Sequence, residues 1–419
     1  MGHVPAAGRM TTTCPPEPGK MPTMPTGLTA EKLRGHMVDA IVRAQPTSAR
    51  VAEAMLAVPR HAFLPGAPVE RAYADEAVIT KRSSGGAALS CASVPSLVAA
   101  MLDQLDVQPG QAVLEIGAGT GYNAALLAWL ASPGGHVTSI DIDPGVTAAA
   151  RHALDATGCQ DVEIVTGDGQ DGDPLDRSYD RIIVTVGAWD LPPAWWDQLA
   201  PGGRLVVPLR WRGQTRAIAF TREPDRLRSD WVELCGFVPM IGQDGERAAC
   251  LDPGRHTEIG WDKGQSVDPA ALAGVLDRAT VFRWSGVTVG PEDAFDGIWL
   301  RLTATDRDLI CRITTDPIPS GGEVRAPAIP SRSPALAAGE SLACLALRRA
   351  GETQWELGAI GHGPCGADLA TRICAQIAWW QNHRQALIVT AYPAGTDDSQ
   401  LRDGYLLDKP CTRLVITYT

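Results

Sequence analysis

The sequence predicts an α/β protein, with an open, doubly wound sheet of mostly parallel strands followed by a second, smaller α/β (α+β) domain. Three observations point there. Short β-rich runs alternate with helical segments between residues 112 and 209, the pattern that puts helices on both faces of a parallel sheet. A glycine-rich turn, Gly117-Ala-Gly-Thr-Gly121, follows the first of those runs and precedes a helix. After about Gly245 the wording changes, and Asp252-Pro-Gly-Arg-His reads as a linker; at 419 residues the chain is long enough for two cores.

The elements follow in order. Residues 1–27 hold Pro5, Pro15, Pro16, Pro18, Pro22 and Pro25 without an apolar run, so they read as a disordered tail lacking the hydrophobic part of a secretory signal. Thr29 is placed to cap a helix through Arg43 and Ser48 a second one through Ala57, which Pro59 ends. Residues 81–86 read as a polar, glycine-containing loop. Ser93-Val-Pro-Ser then starts a helix with Leu97, Met101, Leu102 and Leu105 on one face. Strands are expected at 112–116, 136–140, 162–165, 181–186 and 204–209, and runs at 216–221 and 231–238 add an antiparallel edge. The first domain thus covers 28–245. Within 246–419 the sequence suggests strands at 297–303, 309–314 and 387–391, a helix at 366–380, and a Pro/Gly/Ser-rich interior at 317–338.

Composition narrows the class. Thirty-seven basic against 48 acidic residues leave a formal charge of −11, which argues against a general nucleic-acid binder. Ten cysteines run from Cys14 to Cys411 with no CxxC pair and no Cys/His cluster at zinc spacing, so no metal site is expected; the thiols read as reduced, in a cytoplasmic protein. No stretch is long and apolar enough to span a membrane.

The turn Leu114-Glu-Ile-Gly-Ala-Gly-Thr-Gly-Tyr122 lies where an open α/β sheet forms its ligand crevice. Gly117, Gly119 and Gly121, with Ala118 between, let the backbone approach a ligand closely. A dinucleotide site wants GxGxxG, and Tyr122 stands where the third glycine would fall. That mismatch favours a nucleoside joined to an amino acid, namely S-adenosyl-L-methionine, with Glu115 contacting the methionine amino group. About 20 residues on, Asp141 ends the second strand and is placed to accept from the ribose hydroxyls. Asp143 competes for that role, or caps the helix that Pro144 opens. Asp168, beside Gly169, is placed to accept from the adenine amino group, with a plain Asp-Gly turn as the alternative.

At these residues the sequence resembles the protein L-isoaspartate O-methyltransferase family, over about residues 58–247. The likeness rests on Val58-Pro-Arg-His-Ala-Phe63, Tyr73-Ala-Asp-Glu-Ala77, Ser93-Val-Pro95, the turn at 114–122, Gly167-Asp-Gly169, Tyr179-Asp-Arg-Ile-Ile-Val184 and Gln198-Leu-Ala-Pro-Gly-Gly-Arg-Leu-Val-Val-Pro208. The Ser-x-Pro element before the glycine turn is its most particular feature. The resemblance implies a Rossmann-like class I methyltransferase sheet and a methyl acceptor that is a carboxylate on a peptide or protein. It implies that Ser93 hydrogen-bonds this carboxylate, while Arg60, Tyr73, Asp75, Ser90 and Val94 shape the peptide side of the cleft. A helix N-cap is the other reading of Ser93. A carboxylate is already ionised at neutral pH and needs no general base, so desolvation and alignment suffice. The resulting ester is expected to close to a succinimide and open to aspartate or isoaspartate.

Two departures shape the substrate expectation. Single-domain members of the family end near the position of Arg247, whereas this chain runs on for about 170 residues, and the lead into Ser93 is the longer Ile79-Thr-Lys-Arg-Ser-Ser-Gly-Gly-Ala-Ala-Leu-Ser-Cys-Ala92. Extended relatives look like the methyltransferases that tailor ribosomally made, modified peptides of the lanthipeptide, lasso or graspetide type. The expected partner is therefore a constrained precursor peptide whose aspartate becomes aspartimide. Residues 246–419 would recognise it, with Trp284, Trp299, Trp379 and Trp380 as contact or core residues. The alternative is general repair of isoaspartate in damaged proteins. A nicotinamide oxidoreductase on the same sheet is disfavoured by Tyr122 and by the lack of a Tyr-x-x-x-Lys element.

Overall fold

The computed structural model describes residues 28–252, 257–291, 293–306, 309–314, 332–383 and 387–418. The expected tail at 1–27, the linker residues 253–256 and positions 317–331 lie outside them.

Helices α1 (Ala30–Ala44) and α2 (Ala49–Ala57) begin at Thr29 and Ser48, whose hydroxyls accept from the Lys32 and Val51 amides. Their apolar faces, with Leu33, Met37, Ile41, Val51 and Met55, pack onto one face of the main sheet. The short helix α3 (Val69–Ala72) follows. The segment read as a loop instead folds into a hairpin of β1 (Val78–Arg82) and β2 (Ala88–Ala92). The Ser83 amide donates to the Ala87 carbonyl and the Gly86 amide to that of Ser83, so the glycines make the turn while Val78, Ser90 and Ala92 turn inward.

The alternation that follows forms as expected: α4 (Pro95–Leu105), β3 (Ala112–Ile116), α5 (Tyr122–Ala131), β4 (His136–Asp141), α6 (Pro144–Ala156), β5 (Glu163–Thr166), β6 (Tyr179–Val184), α7 (Pro193–Gln198), β7 (Leu199–Trp211), β8 (Gln214–Arg222) and β9 (Leu227–Leu234). The strands lie in the order β5-β4-β3-β6-β7-β8-β9. The first five are parallel and the last two antiparallel. Both faces are covered. Val113, Ile183, Val206 and Ala217 face α1, α2, α4 and α5, while Leu114, Ile182, Leu205 and Ile218 face the opposite core. Burial on both sides is why these strands read as unbroken apolar runs.

The rest of the chain departs from the expectation in three places. Residues 297–303 are not a strand but the start of helix α8 (Gly297–Thr305). Residues 333–338, placed in the irregular interior, form a strand. And 246–419 is not one contiguous unit. It begins with an antiparallel seven-stranded sheet of β10 (Glu246–Asp252), β11 (Thr257–Asp262), β12 (Thr280–Val289), β13 (Leu309–Thr314), β14 (Ser333–Ala338), β15 (Ser341–Arg349) and β16 (Trp355–His362), ordered β10-β11-β13-β14-β15-β16-β12. Helices α8 and α9 (Gly366–Asn382) pack against one face of it. The last strands, β17 (Leu387–Pro393), β18 (Tyr405–Asp408) and β19 (Thr412–Tyr418), then return to the first sheet, where β17 pairs with β9 and extends it to ten strands. Val389, Ala391, Leu414 and Ile416 share a core with Ile218 and Phe220.

Polar contacts tie the two sheets together. Arg216, almost wholly buried, pairs with Asp296. Trp211 and Gln214 both donate to the Thr303 hydroxyl. Trp299 and Trp380 are core residues, 4% and 7% exposed. Trp379 lies under the Arg301 guanidinium, and Trp284 is stacked beside Phe282 with Arg348 above it.

Candidate active site

The chain leaves β3, runs outward through β4 and β5, and comes back on the other side of β3 as β6. A crevice opens at such a reversal, beyond the carboxyl ends of the strands. Here it becomes a cavity lined from below by Glu115, Gly117, Ala118, Gly119, Thr120, Tyr122, Asn123, Asp141, Thr185 and Val186, and roofed by Leu89, Ser90, Cys91, Ala92 and Ser93 of the hairpin.

The floor is held by specific bonds. Gly117, Gly119 and Gly121 all have positive φ, at 99°, 53° and 84°. A Cβ on Gly117 would sit 2.6 Å from the Thr185 hydroxyl, which donates to the Gly117 carbonyl at 2.6 Å. Gly121 does a different job: a Cβ there would meet Ala150 of α6, so it permits helix packing and does not line the cavity. Asp141 accepts from the amides of Gly119 at 3.1 Å and Asp143 at 3.1 Å, and burial raises its pKa. Glu115 is fully buried, accepting from the Asn123 amide at 2.8 Å and from the Ser139 hydroxyl. Burial pushes its pKa up to about 7.

The roof carries Ser93. It is not the cap of α4: Val94 occupies the cap position with no side-chain cap bond. The free amide of Ser96 is satisfied instead by Asp75, at 2.8 Å, and Ser93 lines the cavity beside Cys91. Ser90 accepts from Thr80 across the hairpin at 3.2 Å. Lys81 pairs with Asp143, fastening the roof to the end of β4. Asp143 also accepts from the Gly145 and Val146 amides, so it caps α6.

Of the residues expected at the site, Ser93, Glu115, Gly117, Ala118, Gly119, Tyr122, Asp141, Arg60 and Ser90 come together around this one cavity. Others lie elsewhere. Asp168 accepts from the Gln170 amide as the start of a short turn, and the Gly169 carbonyl accepts from Trp195. Tyr73 is buried with its hydroxyl on His61 at 2.7 Å, and Val94 and Asp75 serve α4. Sequence reasoning missed Asn123, Thr185, Val186, Phe237 and Val238. Asn123 had a local signal, the second residue of α5 directly after the glycine turn and Tyr122. Phe237 and Val238 had none, since they arrive through the Gly187–Val238 bond at 2.8 Å.

The sequence profile described as Protein-L-isoaspartate(D-aspartate) O-methyltransferase matches residues 34–245. The protein-L-isoaspartate O-methyltransferase of Methanopyrus kandleri is 42% identical over 200 residues, 47% of this chain and 86% of that protein. The chain belongs to this family. That of Aeropyrum pernix is 41% identical, covering 48% of this chain and 76% of that protein. Among solved structures, a protein-L-isoaspartate O-methyltransferase aligns at 21% identity with a TM-score of 0.47, covering 85% of this chain and 96% of that one. Membership of this family makes the sheet a class I methyltransferase sheet, and the family's cofactor is S-adenosyl-L-methionine.

The cavity's residues fit that cofactor. A positive-φ floor without side chains suits close backbone contact, a buried carboxylate at Glu115 suits an ammonium, and Asp141 at the tip of β4 suits a pair of hydroxyls. Glu115, Gly117, Gly119 and Asp141 would hold it.

Proposed function

We propose that this protein transfers a methyl group from S-adenosyl-L-methionine to the free carboxylate of an isoaspartyl residue in a peptide or protein. The observation that carries the reading is one cavity in which the glycine turn, Glu115 and Asp141 face Ser90 and Ser93. The cofactor supplies, when bound, a methyl carried on a positive sulfur, whose transfer to a carboxylate oxygen leaves S-adenosylhomocysteine. No titrating base is needed for an acceptor already ionised. Ser93 donates to the carboxylate oxygen that is not methylated, and the hairpin excludes water. The ester is then attacked by the next backbone nitrogen, which loses its proton as methanol leaves, and a succinimide forms. Repair of isoaspartate in damaged proteins follows from this chemistry.

The test is a pair of hexapeptides that differ only in carrying isoaspartate or aspartate. The isoaspartyl peptide is expected to be methylated and the other not; equal rates, or none, would overturn the reading. Ser93→Ala is expected to slow ester formation by about a hundredfold while S-adenosylhomocysteine binds within about twofold of wild type. Lost cofactor binding would mark Ser93 as structural.

A second reading is favoured by the added sheet. Its edge strand β12 presents Phe282, 39% exposed and stacked beside Trp284, a surface suited to an extended peptide added alongside. On this reading the acceptor is an aspartate in a constrained, ribosomally made precursor peptide and the product an aspartimide, formed in the cytoplasm. Trp284→Ala would then slow methylation of such a precursor by about tenfold or more and leave the isoaspartyl hexapeptide unaffected. Equal behaviour of both substrates would remove it.

A further inference from the structure

Arg60 brings a positive charge to the lining of the cavity. Its side chain is 1% exposed, and no carboxylate pairs with it among the described residues. Nε donates to the Ala72 carbonyl at 2.9 Å, and Nη2 to those of Ser93 at 2.8 Å and Ala92 at 3.4 Å. These bonds hold the joint between β2 and α4. Among the described residues Nη1 has no partner, and neither has the buried hydroxyl of Tyr122, whose ring lies 5.1 Å from the guanidinium carbon. Asp75, the carboxylate that most favours its charge, is committed to the Ser96 amide.

A guanidinium cannot shed its proton at physiological pH. Buried without a counter-ion it is destabilising, and its three carbonyl bonds satisfy donors without neutralising charge. Two orphaned donors and an uncompensated positive charge therefore border the same cavity as Ser93. We propose that Arg60 is the counter-ion of the bound acceptor carboxylate and makes the site select a carboxylate over a carboxamide. The inference rests on the carboxyl-methylation reading and deepens it. Nη1 takes one carboxylate oxygen, with Tyr122 as an auxiliary donor, and the carbonyl grips keep the guanidinium from swinging toward solvent. A carboxamide offers no charge, and its NH2 would face the cation.

The test uses the full chain saturated with S-adenosylhomocysteine and two C-terminally amidated hexapeptides, one with isoaspartate and one with that carboxylate replaced by a carboxamide. Wild type is expected to bind the carboxylate peptide at least about thirtyfold more tightly. Arg60→Met is expected to shrink the preference to about threefold or less, with S-adenosylhomocysteine affinity retained. A wild-type preference under about threefold overturns the inference, as does an Arg60→Met protein that binds S-adenosylhomocysteine normally and keeps the preference. If Arg60→Met does not fold, the wild-type ratio decides. An enzyme that esterifies the isoaspartyl peptide without discriminating in binding sinks only this inference; one that forms no ester sinks the functional reading beneath it.

Discussion

Glu115→Gln is the most informative substitution in the floor of the cavity. The Glu115 carboxyl is fully buried and its pKa stands at about 7, against 4.5 for a free glutamate, with burial as the main cause. Between those values the ligand-free folded protein holds a proton that the unfolded chain has released. The group's stabilising contribution is therefore complete below about pH 4.5 and is lost as pH rises through 7. Holding that proton from pH 4.5 to about pH 7, at about 1.4 kcal/mol per pH unit, gives a swing of about 3–4 kcal/mol. Glutamine is isosteric and uncharged. Its Oε1 can still accept from Asn123, and the Ser139 hydroxyl can turn to accept from Nε2. Denaturant unfolding of the ligand-free proteins at pH 5, 6, 7 and 8 is the assay. The variant is expected to match wild type near pH 5 and to exceed it by about 2–3 kcal/mol at pH 8, while binding S-adenosylhomocysteine more weakly for want of a charge opposite its ammonium. A stability difference independent of pH would refute the reasoning, because the carboxyl would then be ionised throughout.

Other outcomes follow from single contacts. Gly117→Ala places a Cβ 2.6 Å from the Thr185 hydroxyl at a φ of 99°, so thermal melts should show a loss of about 1–3 kcal/mol and calorimetry a clear drop in S-adenosylhomocysteine affinity. Leu414→Ala, in a strand 180 residues downstream of Leu234 but buried in the first core, should cost about 2–5 kcal/mol in denaturant unfolding; a value near zero would mean that β19 does not contribute to that core. Asp75→Ala should cost about 1 kcal/mol by exposing the Ser96 amide of α4, and Asp75→Asn should restore most of it.

The catalytic sheet was legible because strand runs, helices and the glycine turn alternate in sequence order, and β3 to β9 pair with near neighbours. What was not legible depended on distant partners. Residues 387–391 read as a strand, and they are one, but nothing local says that the strand joins β9 and not the second sheet. This also changes what a shortened chain means: stopping near Arg247 removes Val389, Ala391, Leu414 and Ile416 from the first core. Residues 297–303 read as a strand because Ile298, Trp299, Leu300 and Leu302 make a short apolar run. They form a helix because Ile298 and Leu302, one turn apart, are both wholly buried against α9. The hairpin roof was hidden by its polar outer face. Asp75 as the cap of α4 was hidden by 21 residues of separation, which is why Ser93 looked equally like a cap.

The most direct test of the account is the chemical nature of the product. With methyl-labelled S-adenosyl-L-methionine and an isoaspartyl peptide, label is expected on the peptide at mildly acid pH and is expected to leave as methanol on brief exposure to alkali, as a methyl ester must. Label that stays on the peptide through alkali, as on nitrogen or carbon, or no label at all, would contradict the assignment of this cavity to carboxyl methylation.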